Sequence, residues 1–193
     1  MRKPIFIASV TALAVVAVFY STTRWQARET VSDFRLAPAS LNSLQHSLGA
    51  AELYALTSTT GLRPRILGAG IEVLGHVNEW VEHSFKRNKD STEEVYKDLR
   101  NNLVGLTAAK WINERFGWRF SMRQRRAVIA VLADSHELAY ASDDPLVPRF
   151  GTGNATGPAM ARYRADRKSI AGRTRSFLEA NAEIIAKKAD SGS

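Results

Sequence analysis

Apolar residues recur at three- and four-residue spacing along most of the chain, a period that predicts helices and no strand. The first apolar run is of another kind. From Ile5 to Tyr20 it carries no charge, with Ser9 and Thr11 among its few polar members, behind a basic start at Arg2 and Lys3. As a helix it spans roughly 24 Å at ~1.5 Å per residue, close to a hydrocarbon core of ~30 Å once Ser21 to Thr23 extend it. Tyr20 and Trp25 are suitable interface anchors. The pattern predicts a membrane-spanning signal anchor over residues 1–20, the N-terminus cytoplasmic and the bulk of the chain periplasmic or extracellular. A cleaved signal peptide is the competing expectation, with Val15-Val16-Ala17 a passable cleavage site, but that cut strands Val18, Phe19 and Tyr20 at a new terminus.

Residues 21–39 read as a polar connector ending at Pro38. A helix follows from Ser40 through Leu41, Leu44, Leu48, Ala51 and Ala55, stopped by Gly61. A second begins near Pro64 and runs to about Phe85 on Leu67, Ile71, Leu74, Val77 and Val81. Ser91-Thr92-Glu93-Glu94 reads as a capping box for a third helix, with Val95, Leu99, Leu103, Leu106 and Ala109 inward. Ser121-Met122-Arg123-Gln124 is a second box, opening a fourth helix through Val128, Ile129, Val131 and Leu132 to about Tyr140. Asp143-Asp144-Pro145 and Pro148 break the chain, and a last helix over Ala159–Lys188 is expected to break at Gly172. The expected fold is all-α: a small bundle of about five helices behind one N-terminal membrane-spanning helix. Its divisions are an anchor at 1–20, a connector at 21–39, a helical core domain at 40–141, a loop at 142–158 and a basic C-terminal helix and tail at 159–193.

Composition narrows the chemistry. A chain of 193 residues has length enough for one domain with a real core. The absence of cysteine excludes disulfides, thiolate zinc, iron–sulfur clusters and thiol catalysis. With 27 Lys+Arg against 19 Asp+Glu the net charge is +8, and the stretch from Arg119 to Arg175 alone carries +6. Behind a membrane anchor, that basic half is expected to meet the membrane, anionic lipid or an envelope protein partner rather than nucleic acid. The plain alternative is a solvated Arg-rich surface.

Polar residues fall in aligned rows on three successive helices. Asn42 and His46 are four apart, with Gly49 continuing the row. Glu72, His76, Glu79 and His83 alternate carboxylate and imidazole on the second helix. Asp98, Asn102 and Gly105 align on the third, with Asn101 beside them. Each row alone reads as a solvated face. Two adjacent Asn in mid-helix are unusual, because their side chains compete for backbone hydrogen bonds.

The segments Asn42-Ser43-Leu44-Gln45-His46, Gly75-His76-Val77-Asn78-Glu79 and Asp98-Leu99-Arg100-Asn101-Asn102-Leu103-Val104-Gly105 resemble a bacterial domain family of unknown function. Its pattern runs N-A-[FL]-[RQ]-H, then H-E or N-E, then D-L-x-N-N-x-x-G. The likeness covers residues 40–115 and departs from the pattern at Ser43-Leu44. It implies a helical, often secreted or toxin-associated module with one shared site, and it carries no reaction.

His46, Glu79, Asp98, Asn101 and Asn102 are therefore the candidate catalytic residues, supported by Asn42, His76 and Gly105. His46 is a general base near neutral pH, Asp98 orients it, Glu79 activates water and an Asn amide holds an oxygen. Such a set suits hydrolysis of an ester, amide or phosphodiester without a side-chain nucleophile. Metal binding ranks below a metal-free site: His76 and His83 stand roughly 10 Å apart along a helix at ~1.5 Å per residue, too far for one ion, which leaves only a pair such as His76–Glu79 joined by His46 or Asp98 from other helices. The sequence specifies no cofactor. The rival function is a non-enzymatic envelope scaffold that holds an anionic partner with its basic half. Asp134, His136 and Glu137 read as structural or exposed.

Overall fold

The computed structural model describes residues 3–58, 68–73, 91–117, 121–150 and 156–190. Among these the secondary structure is helical, without a strand. The elements are α1 (Lys3–Phe34), a 3-10 turn (Pro38–Ser40), α2 (Leu41–Ser58), α3 (Thr92–Phe116), α4 (Met122–Asp134), α5 (Thr156–Ala180) and α6 (Ala182–Asp190). Residues 68–73 are also helical and belong to the expected second helix; its remainder lies outside the described residues.

α3 forms the axis of the domain, with α2 packed on one side and α5 on another. The inward residues read from its periodicity, Val95, Leu99, Leu103, Leu106 and Ala109, are all buried, as are Val128, Ile129, Val131 and Leu132 of α4. Leu44 and Leu48 of α2 and Leu178 of α5 complete the contacts around α3 and α4. Because neighbours enclose it on nearly all sides, α3 also buries Lys97, Asp98, Arg100 and Asn101. Enclosing charged groups is costly unless they are paired, so their partners decide what this helix does.

The expected N-terminal membrane helix and single-pass topology do not stand. Among the described residues no helix is long and apolar enough to cross a membrane. The helix does not stop near Tyr20 to give way to a connector; α1 continues to Phe34, and its second half is built into the domain. Thr23, Gln26, Ala27 and Thr30 form its buried stripe. Arg126 of α4 donates from Nε to Thr30 Oγ1 at 3.0 Å and from an Nη to Asp33 Oδ2 at 2.6 Å. The stripe is small and polar, which is why an apolar period did not reveal it. With the spanning helix goes the basis for placing the bulk of the chain in the periplasm or outside the cell. The side chains of residues 1–17, on which the anchor rested, lie outside the described residues.

Three boundaries also move. α4 ends at Asp134 rather than Tyr140, because His136 takes a left-handed backbone at φ 54° and Glu137 N donates back to Leu132 O at 2.9 Å. That bond is the 6→1 closure of a Schellman end. α5 runs through Gly172 and breaks instead at Asn181, whose Nδ2 donates to Phe177 O at 2.9 Å. The expected 142–158 loop is shorter at its far end, since α5 already begins at Thr156. At the caps, Ser121 closes a full box: Gln124 N donates to its Oγ at 3.2 Å and Ser121 N to Gln124 Oε1 at 2.7 Å. Ser91 accepts from Glu94 N at 3.2 Å, but the Glu94 carboxylate turns to Lys97, leaving that box half made.

Candidate functional site

The site region is created by a close helix crossing. A Cβ on Gly105 would collide with the carbonyl oxygen, carbonyl carbon and Cα of Ser47, so only glycine lets α3 come this near the α2 backbone. Ser47 Oγ donates to Ser43 O at 2.9 Å and approaches Asn101 O at 3.1 Å. Small, hydroxyl-bearing residues on α2 thus face the Asn101–Gly105 turn of α3. A glycine in such a row lets another backbone or a ligand come close, and at Gly105 it is another backbone.

Asn101 is fully buried and its amide is committed to one backbone unit. Its Nδ2 donates to Ala139 O at 2.8 Å, and its Oδ1 accepts from Ala139 N at 3.0 Å. Ser43 Oγ donates to the same carbonyl at 2.6 Å. The segment after α4 has left the helical ladder, and these side chains supply the partners its backbone would otherwise lack. An asparagine in mid-helix is explained by that pairing.

One turn earlier, the structure brings His46 and Asp98 together. His46 Nε2 lies 3.5 Å from Asp98 Oδ1, with side chains 16% and 11% exposed. The same oxygen is 3.5 Å from Lys97 Nζ, which itself contacts Glu94 Oε2 at 2.5 Å. Oδ1 is buried and makes no aligned hydrogen bond among the described residues, so Lys97 approaches it as an ion pair and His46 stands beside it at 3.5 Å. Burial pushes the Asp98 carboxyl up; His46 and Lys97 oppose this and Glu94 adds to it. Burial alone would lower the Lys97 ammonium, but Asp98 and Glu94 turn it upward. The result is an enclosed row of alternating charge, Glu94–Lys97–Asp98, ending on an imidazole. Lys97 and Glu94 were not among the expected residues. Their sequence signal is faint, since Lys97 lies off the apolar stripe and is enclosed only because α3 is central.

The other expected residues are placed as follows. Asn42 is exposed and Asn102 half-buried. Glu79 and His76 lie outside the described residues. Asp134 and His136 are exposed, and Glu137 pairs with Arg173 at 3.3 Å. A separate cavity of about 250 Å³ lies between the C-terminal halves of α2 and α3, lined by Glu52, Tyr54, Ser58, Asn113 and Arg125 among others, and by none of the expected residues. At its wall Arg125 grips Glu52 through two hydrogen bonds of 2.7 Å.

Much of the basic half is tied down. Arg167 pairs with Glu72 at 2.6 Å, Arg175 with Glu114 at 2.7 Å and Arg162 with Asp166 at 2.7 Å. Arg115 stands over the rings of Trp111 and Phe116, 5.8 Å from each centroid. The Arg167–Glu72 and Arg175–Glu114 pairs lace α5 to the body of the domain, although such exposed pairs are each worth little.

Fold and site together define an all-helical domain with a half-buried histidine–aspartate couple at a helix crossing. No family model, no characterised protein and no solved structure matches the chain.

Proposed function

We propose that the domain is a hydrolase-like enzyme in which His46 is the general base and Asp98 its orienting carboxylate. The observation that carries this is the 3.5 Å approach of His46 Nε2 to the buried Asp98 Oδ1. A carboxylate facing Nε2 holds the ring N–H there and leaves the lone pair on Nδ1, the nitrogen that then takes a proton from water. Contacts of this kind tighten when substrate enters, so an approach of this length in the free protein suits the role. The reacting bond is an ester, amide or phosphodiester, attacked by water. Asn101 takes no part in holding the substrate, because its amide is engaged by Ala139. The rival reading, a binding protein that uses its basic half, draws less support because Arg167, Arg173 and Arg175 of α5 pair with carboxylates of the domain itself.

The test is turnover of p-nitrophenyl acetate, bis(p-nitrophenyl) phosphate and a fluorogenic peptide amide. One class is expected to be cleaved, and His46→Gln and Asp98→Asn each to lose about 10²–10⁴ of that rate while keeping the native circular dichroism. Turnover by either variant equal to that of the unaltered protein, or none by the unaltered protein on any of the three, overturns the assignment.

A further inference from the structure

We infer that Lys97 is a positioning residue: its ammonium, tethered by Glu94, holds Asp98 in the carboxylate form that grips His46. This rests on the acid–base reading of His46 and Asp98. Lys97 is 3% exposed and Asp98 8%, so solvent does little to support either charge. Their contact and that of His46 converge on one atom, Asp98 Oδ1, at 3.5 Å each.

Such a couple has two ways to hold a proton taken from a substrate. In one, an imidazolium faces a carboxylate. In the other, Asp98 is a carboxylic acid donating to Nε2, and the ring N–H has moved to Nδ1. Both carry the same net charge and differ only in where the protons sit. The second arrangement ends the orienting role of Asp98, because a carboxylic acid that donates to Nε2 no longer holds the ring N–H there. Burial favours it, since it replaces two buried charges with neutral groups. A fixed cation beside Oδ1 favours the first, and Lys97 is that cation. Among the described residues the charged and titratable groups that act most strongly on Asp98 are His46 from α2, and Glu94 and Lys97 from α3. The groups of α5 meet α3 elsewhere, at Tyr96, Arg100 and Glu114.

Glu94 has a double part. It repels the Asp98 carboxylate, yet its contact with Nζ at 2.5 Å fixes the ammonium where it is needed. Loss of Lys97 must therefore raise the protonation point of Asp98, and Glu94→Gln, whose amide oxygen still accepts from Nζ although its charge is gone, must lower it. A lysine that merely filled space would not produce the first shift.

The experiment follows the Asp98 carboxyl carbon and the His46 ring nitrogens by NMR over a pH series in the full chain, in the unaltered protein and in Lys97→Met, Lys97→Arg, Glu94→Gln and Asp98→Asn. Asp98 in Lys97→Met is expected to protonate about a unit or more higher, with the His46 N–H signal shifting from Nε2 toward Nδ1. Lys97→Arg restores the unaltered behaviour, and Glu94→Gln moves the Asp98 titration downward. An Asp98 titration that stays put in Lys97→Met, or moves upward in Glu94→Gln, overturns the role of Lys97. If Lys97→Met does not fold, the Glu94→Gln and Lys97→Arg titrations decide. A His46 ring whose nitrogen signals are indifferent to Asp98→Asn would instead overturn the acid–base pair itself.

Discussion

The backbone of Ser47 occupies the space that a side chain on Gly105 would need, so α2 and α3 meet backbone to backbone at this point. A flexible side chain would have yielded to an added methyl group; a carbonyl inside a helix does not. Gly105→Ala is therefore expected to lower stability by about 3 kcal/mol, the upper part of the range for overpacking. Urea denaturation measures it, and a loss below about 1 kcal/mol would mean that the helices separate easily here.

Asn101 makes two hydrogen bonds to Ala139, and both are buried. Replacement by Ala leaves the Ala139 amide without its partner, while the Ala139 carbonyl keeps Ser43 Oγ. We expect Asn101→Ala to destabilise by about 2 kcal/mol, within the ~1–3 kcal/mol for one buried group, and to expose the Ala139 amide to hydrogen exchange before the rest of the core. Unchanged protection at Ala139 would show that another group holds this segment.

Asp98 has its carboxyl raised above the ordinary 3.8, first by burial. A raised acid binds its proton more tightly folded than unfolded. The folded state thus carries more protons from about pH 3.8 upward to the raised value, and stability falls as pH rises through that window. Asp98→Asn should flatten this decline and leave the neutral-pH midpoint equal or higher, as is common where a site holds strain for function. A variant that melts much earlier at pH 7 would mark Asp98 as structural.

Arg35 and His136 both sit at φ 54° just beyond helix ends. A left-handed conformation strains any residue with a Cβ by roughly 1–2 kcal/mol, whereas glycine adopts it freely at some entropic cost in the unfolded chain. Arg35→Gly, which removes only an exposed side chain, should raise stability by about 0.5 kcal/mol. Thermal melts at constant pH test this, and a drop in midpoint refutes it.

The helical class, the inward residues of α3 and α4 and the full cap at Ser121 were legible because each leaves a periodic or local signature. The second half of α1 was not, since Thr23, Gln26, Ala27 and Thr30 bury small and polar surface that an apolar stripe does not mark. Helix ends at His136 and Asn181 were missed for a related reason. Sequence points to glycine for a left-handed turn or a break, while here a histidine takes the turn and a side-chain amide accompanies the break. His46 and Asp98 could be singled out from their rows, because three- and four-residue spacing fixes a face. What each polar residue is for could not. Gly105 lies in the row of Asp98, with Asn101 beside it, yet Asn101 ties down a loop and Gly105 admits a helix.

Three fastenings converge on the α2–α3 crossing: Ser47 against Gly105, Ser47 Oγ at the Asn101 carbonyl, and Asn101 with Ser43 on Ala139. Together they act as a key in a slot. A slip of one residue, ~1.5 Å along the axis, would carry the Ser47 carbonyl out of the notch and part the hydroxyl from its acceptor. The two helices must therefore travel as one piece in any larger motion of the domain. Opening or closing around His46 falls to side-chain rotation and to the elements packed outside this pair, and the reach between His46 and Asp98 is set by the register itself.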